Sequence, residues 1–317
     1  MIYTASFLPI LLYILLLKLM DSFSIVRWKR LLLCLLLGAS SCLATYFISR
    51  ITGGVEIGDV SVIPVFEEIL KGGIMVFLIM KGNIKFLAET LIYGAAVGGG
   101  FALAENTFYL AANPDMLAGT AVFRGFGCAF LHIGCTALVS ALILILKKNK
   151  PVALFTALSF LPSCALHILH NRMILSPVIQ LAVTIGVFFV IFLVLFNLGE
   201  KKIYNWMDHS ISIDIQTLSS IKAGNFSTTK AGQFLLDVKE QFQPEVFFDM
   251  VNCVELYLEL KIEKQSRMLM KQAGFDLQDS EEDERSFSSR SRELAELKRF
   301  IGKTGCSVLK PLVHDDI

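Results

Sequence analysis

Ionisable side chains that could do chemistry lie within stretches of the sequence that are otherwise apolar. "IPVFEEILKGG" carries Glu67 and Glu68, "GFALAENTFYL" carries Glu105, "CAFLHIGCT" carries His132 and "CALHILHN" carries His167. A charged side chain at mid-membrane costs about 2.5–3.5 kcal/mol on insertion scales, so such residues usually face the interior of a helix bundle and mark a functional site. These residues are therefore the candidate functional residues of the chain.

The residue types in this set are suited to metal-assisted hydrolysis. One glutamate and two histidines form a ligand set typical of catalytic zinc, with a position left open for water. The predicted ligands are Glu105, His132 and His167. Because bound zinc lowers the pKa of water and a carboxylate can act as general base, Glu67 or Glu68 is the predicted base. Asn171, four residues after His167, is predicted to stabilise the developing oxyanion.

The elements that must position these residues are apolar segments of membrane-spanning length. Hydrophobic residues make up 54% of the 317 residues and charged residues only 18%. A helix needs roughly 20 apolar residues to cross the hydrocarbon core of a bilayer. The segments of this length are 3–20, 30–49, 61–80, 87–111, 121–146, 151–170 and 176–198. The sequence therefore predicts an all-α, polytopic membrane bundle of about seven spans.

A change in composition near residue 200 divides the chain into a transmembrane domain, 1–200, and a predicted cytoplasmic tail, 201–317. Apolar residues recur at three- and four-residue spacing in much of the tail, so it is predicted to be mostly helical. The stretch Asp276–Ser286 predicts a solvated acidic loop. The net charge of +1 gives no reason to expect a nucleic-acid partner.

Basic residues predict how the chain is oriented in the membrane. Lysine and arginine are concentrated in the first, third and fifth loops and after the last span. By the positive-inside rule, the N-terminus lies outside and the tail lies in the cytoplasm. The opposite loops carry few basic residues, and one of these, Arg124, is predicted to snorkel to the outer headgroups.

This orientation also predicts the depth of the ionisable residues. At 1.5 Å per helical residue, the glutamates and histidines lie roughly 5–16 Å below the outer surface. Four different helices therefore place their ionisable groups in the same half of the membrane. We expect them to form one shared site.

The same residues resemble the motifs of a known family. "EEILK" (Glu67, Glu68, Lys71), "FALAEN" (Glu105), the lone His132 and "HILHN" (His167) are similar to the four motifs of the PrsW family. PrsW proteins are bacterial intramembrane metalloproteases, distantly similar to CAAX prenyl endopeptidases. The resemblance covers roughly residues 60–175, and its four motifs occur in order on separate spans.

The resemblance implies a function, a partner and a location. It implies an intramembrane endopeptidase of the bacterial inner or plasma membrane, cutting membrane-spanning regulators such as an anti-sigma factor at an extracytoplasmic site. By position, Glu67 and Glu68 match the paired glutamates of the family, and Glu105 matches the carboxylate of its second motif. CAAX enzymes have a histidine at the position of Glu105, so hydrolysis by a glutamate-activated water without metal stays open.

Other functions are compatible with the same residues. Glu67 or Glu68 could form a structural ion pair with Lys71, and the four-residue spacing favours Glu67 as its partner. Buried carboxylates and histidines also serve as proton paths in transporters, although the sequence contains no convincing internal repeat. A non-catalytic membrane scaffold is the third alternative. The sequence predicts no oligomeric state.

Overall fold

A computed structural model describes residues 2–51, 62–147, 151–272, 275 and 281–313. Helices make up 87% of the structure, and the described residues contain no strand. The predicted all-α class is therefore confirmed. The chain divides into two compact units, Met1–Lys202 and Ile203–Ile317.

The first unit is built from long apolar helices. They are α1 (Ile2–Leu19), α2 (Trp28–Ile51), α3 (Val62–Met80), α4 (Leu87–Ala112), the short α5 (Ala118–Phe123), α6 (Ala129–Leu146), α7 (Val152–Asn171) and α8 (Pro177–Lys222), the last of which continues into the second unit. A π-helical turn, Arg124–Cys128, joins α5 to α6. Among the described residues, six stretches are long and apolar enough to cross a membrane: α1, α2, α4, α5 to α6, α7 and α8.

The predicted count of about seven spans includes α3, which is not among these six. Helix α3 is 19 residues long, but it carries three charged residues, Glu67, Glu68 and Lys71. That is more charge than an apolar membrane-crossing helix normally contains. All three side chains are buried, and α3 packs against α6, α7, α2 and α4. The helix therefore turns its charges into the bundle.

Close packing between α4 and α6 holds the centre of this unit together. A Cβ atom on Gly98 would lie 2.2 Å from the carbonyl oxygen of His132, so only glycine allows this approach. Small residues allow membrane helices to pack at short distance. The contact fixes the backbone of α6 at His132, one of the predicted site residues.

The second unit has its own hydrophobic core, formed by α9 (Lys230–Val238), α10 (Pro244–Gln272) and α11 (Glu281–Leu309). Leu218 and Ile221 at the end of α8, and Phe226 after it, pack against this core. Gly302 interrupts α11 with a φ of 72°, a left-handed conformation that favours glycine. The predicted acidic loop is wrong for residues 281–286, which belong to α11, and residues 276–280 lie outside the described residues. Acidic residues in a first helical turn stabilise the helix dipole, and Glu281 pairs with Arg285 one turn later.

Candidate metal centre

The paired glutamates of α3 face different partners. Glu68 is fully buried, and its Oε1 atom lies 2.6 Å from Nζ of Lys71, three residues later. The ammonium of Lys71 also lies 4.5 Å from the centre of the Phe101 ring. The ion pair of Lys71 is therefore with Glu68, not with Glu67 as the spacing predicted. The reason is the rotation of α3, which places Lys71 beside the more deeply buried carboxylate.

His167 of α7 lies between the two glutamates. Its Nδ1 atom is 2.9 Å from Oε1 of Glu68, and its Nε2 atom is 3.6 Å from Oε2 of Glu67. Because an ionised carboxylate only accepts hydrogen bonds, Nδ1 carries the proton and donates it to Glu68. The lone pair of Nε2 is then directed away from Glu68, towards Glu67.

His132 of α6 connects α3 to α4. Its Nδ1 atom lies 2.9 Å from Nζ of Lys71, and its Nε2 atom lies 3.1 Å from Oε2 of Glu105. The Lys71 ammonium can only donate, so Nδ1 accepts and the proton of the neutral ring is on Nε2, from which it donates to Glu105. A continuous hydrogen-bonded chain therefore runs from Glu68 through Lys71 and His132 to Glu105.

Arg124 lies at the first residue of the π-helical turn and holds Glu105 from the other side. Its Nη2 atom is 3.0 Å from Oε2 of Glu105, and its Nε atom donates to Oδ1 of Asn106 at 3.1 Å. The guanidinium also stacks on Tyr109, 3.6 Å from the ring centre. The side chain is only 7% exposed, so the predicted snorkelling to headgroups is wrong. The π turn, a feature often found at functional sites, begins at this residue.

Three of the predicted residues come within metal-binding reach of one another. One ligand atom each from Glu67, His132 and His167 lies within 4.8 Å of the others, and all three residues are buried. Two imidazoles and a carboxylate are the donor set of a catalytic zinc site, so the residues present fit such an ion. The hydrogen bond from His167 to Glu68 orients the ring as partners of metal-bound histidines do.

The remaining predicted site residues lie around this group. Glu105 contacts His132 and Arg124, and its side chain is 28% exposed. Asn171 is the last residue of α7, and its side chain is exposed rather than buried beside His167. The structure therefore brings Glu67, Glu68, Glu105, His132 and His167 together and leaves Asn171 at the edge.

A cavity of about 680 Å³ opens next to this group between α2, α3 and α4. Among the described residues that line it, Glu67 and Glu105 are the two carboxylates, and most of the others are apolar or aromatic. The cavity therefore gives access to the same two glutamates that approach the histidines.

Comparison with known families agrees with the motifs. The model of the PrsW family of intramembrane metalloproteases matches residues 26–198, more than half of the chain. No curated protein and no solved structure matches. The matched residues include every helix that contributes to the site. The chain belongs to the PrsW family of intramembrane metalloproteases.

Proposed function

We propose that this protein is an intramembrane endopeptidase that hydrolyses a peptide bond of a membrane-spanning protein. The observation that carries this proposal is the buried grouping of Glu67, His132 and His167 on three helices of the first unit, with ligand atoms within 4.8 Å. Burial of ionisable groups in an apolar bundle is costly and is characteristic of functional sites. Membership of the PrsW family supports the reaction class.

Glu67, His132 and His167 would hold the ion, which we propose to be zinc. When bound, zinc lowers the pKa of a coordinated water and polarises a carbonyl group. In this assignment Glu67 is a ligand, a role that the sequence pattern gave to Glu105. The reason for the exchange is geometric, because Glu67 lies with both histidines, whereas Glu105 contacts His132 and Arg124.

Glu105 is then the carboxylate that accepts a proton from water. It lines the cavity and is partly exposed, whereas Glu68 is fully buried and already binds Lys71 and His167. Arg124 holds Glu105 in place through its ion pair. Glu68 orients His167 and balances the charge of Lys71, so its role is to position other groups.

Glutamate-dependent hydrolysis without metal is the second candidate, and a specific observation favours it. The hydrogen-bonded chain from Lys71 through His132 to Glu105 uses both ring nitrogens of His132. His132 would need to lose its Nε2 proton to bind zinc through that atom, whereas the existing chain already directs the imidazole at the carboxylate. In this alternative, His132 orients Glu105, and Glu105 alone activates water.

The proposed setting is a bacterial inner or plasma membrane, with the N-terminus outside and the second unit in the cytoplasm. The distribution of lysine and arginine supports this orientation. It places the site in the outer half of the bilayer, where it would act on the extracytoplasmic side of a substrate such as an anti-sigma factor. We propose that the substrate enters laterally between helices.

The test measures metal content and hydrolysis on the same preparations. Protein purified in detergent is analysed by mass spectrometry for bound metal and assayed on membrane-spanning peptides. We compare wild type with the double variant His132→Ala, His167→Ala, and with the control His209→Ala, whose imidazole is exposed and outside the site. The expected result is about one zinc per chain, present in wild type and control and lost together with hydrolysis in the double variant.

Each other outcome selects an alternative. Hydrolysis without metal, abolished by Glu105→Gln, would establish the glutamate-only reaction. Folded wild-type protein that neither binds metal nor cuts any peptide would exclude the protease proposal and leave a scaffold. Proton flux into protein-containing vesicles, in the absence of hydrolysis, would identify a transporter.

A further inference from the structure

A second cavity, of about 320 Å³, lies between α6, α7 and α8. Among the described residues, it shares no lining residue with the cavity beside Glu67 and Glu105. Most of its described lining is apolar, and the polar residues in it are His170, Gln180 and Thr184. Its volume is at the lower end of the range of about 300–1,000 Å³ typical of ligand sites.

Gln180 has polar atoms in this cavity that the protein does not satisfy. The side chain is only 7% exposed, and its Nε2 atom lies 3.4 Å from Nδ1 of His170. The hydroxyl of Thr184 donates its hydrogen to the backbone carbonyl of Gln180, so Nδ1–H of His170 donates to that hydroxyl. Nδ1 therefore cannot accept from Gln180, and the amide N–H donors have no acceptor among the described residues. A ligand that carries an acceptor would satisfy them.

The cavity has the length and the depth of a lipid chain. Gln180 is the fourth residue of α8, near the end of a helix that is long and apolar enough to cross a membrane. Phe188 lines the cavity eight residues further along α8, which is about 12 Å at 1.5 Å per residue. One leaflet accounts for about 15 Å of a hydrocarbon core of about 30 Å. A chain with its polar end at Gln180 would therefore reach Phe188 within one leaflet.

One side of the cavity is closed by packing and another is open. A Cβ atom on Gly134 would lie 2.2 Å from the ring of Phe188, so α6 and α8 are in close contact at this end. Leu169, Ile174 and Val183 also line the cavity, and all three are exposed. The cavity is therefore open to the surroundings of the bundle, which are lipid for helices that cross a membrane.

We propose that this cavity binds a glycerolipid of the surrounding bilayer. An ester carbonyl of the lipid accepts a hydrogen bond from the amide of Gln180, and the acyl chain lies along α8 as far as Phe188. Ester groups lie between the headgroups and the hydrocarbon core, the level expected for Gln180 near the end of its span. The site goes beyond the proposed function, because it requires neither metal nor hydrolysis.

Other ligands fit these surroundings less well. The described lining residues include no lysine or arginine, so a phosphate group or the carboxylate of a free fatty acid would have no such partner. The backbone carbonyls of a neighbouring membrane helix bond within that helix and cannot serve Gln180. Water could accept from the amide, but a buried water needs about 2–4 polar partners, and the walls below Gln180 are apolar.

The experiment compares two photoactivatable phosphatidylcholines that differ only in the proposed acceptor. Both carry a diazirine in the middle of one chain, but one is a diester and the other a diether, which has no carbonyl. Each is added in trace amounts to diether phosphatidylcholine vesicles that contain the 317-residue chain. Mass spectrometry of peptides locates the crosslinks, and yields at the cavity are normalised to those on α1.

In wild type we expect the diester probe to crosslink at the cavity about fivefold more than the diether probe, the factor that one net hydrogen bond provides. Gln180→Leu should remove this preference. The matched control is Asn197→Leu, which replaces an exposed carboxamide of the same helix outside the cavity. Val183→Trp, which fills the cavity, should lower the yield of both probes about tenfold relative to Val190→Trp, at an exposed valine outside it.

The wild-type comparison needs no variant, so it decides the inference even if Gln180→Leu does not fold. Equal yields of the two probes at the cavity would overturn the inference, as would a diester preference that persists in folded Gln180→Leu. Loss of the diester crosslinks in excess leucine-rich transmembrane peptide would also overturn it and assign the cavity to a helix. Diester-selective crosslinks in protein that cuts no peptide would support the inference and leave only the protease proposal in error.

Discussion

Two buried histidines on α7, three residues apart, have contrasting surroundings. His167 faces Glu67 and Glu68 and lies 4.9 Å, ring centre to ring centre, from His132. His170 is equally buried, but its Nδ1 atom lies 2.8 Å from the hydroxyl of Thr184. Both rings are hydrogen-bonded within the bundle, and only His167 has carboxylates for neighbours.

His170 forms hydrogen bonds within a cluster of uncharged groups. The hydroxyl of Thr184 donates to the backbone carbonyl of Gln180 at 2.8 Å, so the imidazole Nδ1–H donates to that hydroxyl. The Sγ atom of Cys128 lies 4.0 Å from the other ring nitrogen. This cluster can be explained by hydrogen bonding between helices, whereas the cluster around His167 contains charges whose burial such packing does not require.

The largest expected effect is the difference between His167→Ala and His170→Ala. Removing His167 deletes a proposed ligand, so we expect zinc binding and hydrolysis to be lost, a decrease in rate of at least about 1,000-fold. Removing His170 leaves the ligands in place, so we expect zinc to be retained with a loss of about 1–3 kcal/mol in stability. Metal analysis, peptide hydrolysis and thermal unfolding in detergent measure the three quantities.

If His170→Ala also lost its metal, the two histidines would not differ in function as predicted. The prediction would also be wrong if His167→Ala remained folded and kept full hydrolysis. Either result would mean that the carboxylates near His167 have a structural role and that the two clusters are alike.

The second prediction concerns the charge at the centre of the site. Lys71→Met removes the partner of Glu68 and leaves a fully buried carboxylate unpaired. Breaking a buried ion pair in this way costs about 3–5 kcal/mol. Lys81→Met is the control, because Lys81 follows the same helix but is exposed. Equal thermal stability of the two variants would show that Lys71 is not needed to stabilise Glu68.

The third prediction separates the two adjacent glutamates. Glu68→Gln weakens the group that orients His167 without removing a proposed ligand, so we expect zinc affinity to fall about 10–100-fold. Glu67→Gln should abolish tight binding, because Glu67 is itself the proposed ligand. Zinc competition with a chelator measures both.

A buried glutamate elsewhere provides the control for these variants. Glu89 is buried at the start of α4, where its carboxylate accepts hydrogen bonds from the backbone N–H groups of Lys85 and Phe86. Glu89→Gln should weaken this cap and leave zinc affinity unchanged. If Glu67→Gln bound zinc better than Glu68→Gln, the ligand assignment would have to be reversed.

The sequence was sufficient to predict which helices bring the candidate site residues together. Glutamates and histidines stand out in apolar spans because their burial is costly, and counting residues from the span ends placed them at similar depths. The structure brings five of the six predicted site residues together. The resemblance to the PrsW family, based on the same residues, is confirmed by the family match.

The rotation of each helix and the local irregularities were beyond sequence reasoning. Glu67 and Glu68 are about 100° apart on α3, and only packing against α6 and α7 decides which one faces Lys71. Arg124 was placed near the headgroups by its distance from the span end. Its burial depends on contacts with Asn106 and Tyr109 of α4. In the sequence, the one indication of a functional role for Arg124 was its charge at the start of an apolar segment.

The smallest expected effect tests whether the His170 cluster is only structural. Thr184→Val removes the acceptor for His170, and Thr136→Val is a close control. Both threonines are buried, and both donate to the backbone carbonyl four residues earlier, that of Gln180 or of His132. The difference between the two variants therefore isolates the contact with His170.

We expect Thr184→Val to be less stable than Thr136→Val by about 1 kcal/mol, the net contribution of one hydrogen bond. Zinc content should be the same in both, because neither hydroxyl contacts a proposed ligand side chain. A loss of zinc in Thr184→Val would contradict the separation of the clusters, since the effect would have to pass along α7 from His170 to His167. With zinc unchanged, the carboxylates beside His167 would account for the functional difference between two equally buried imidazoles.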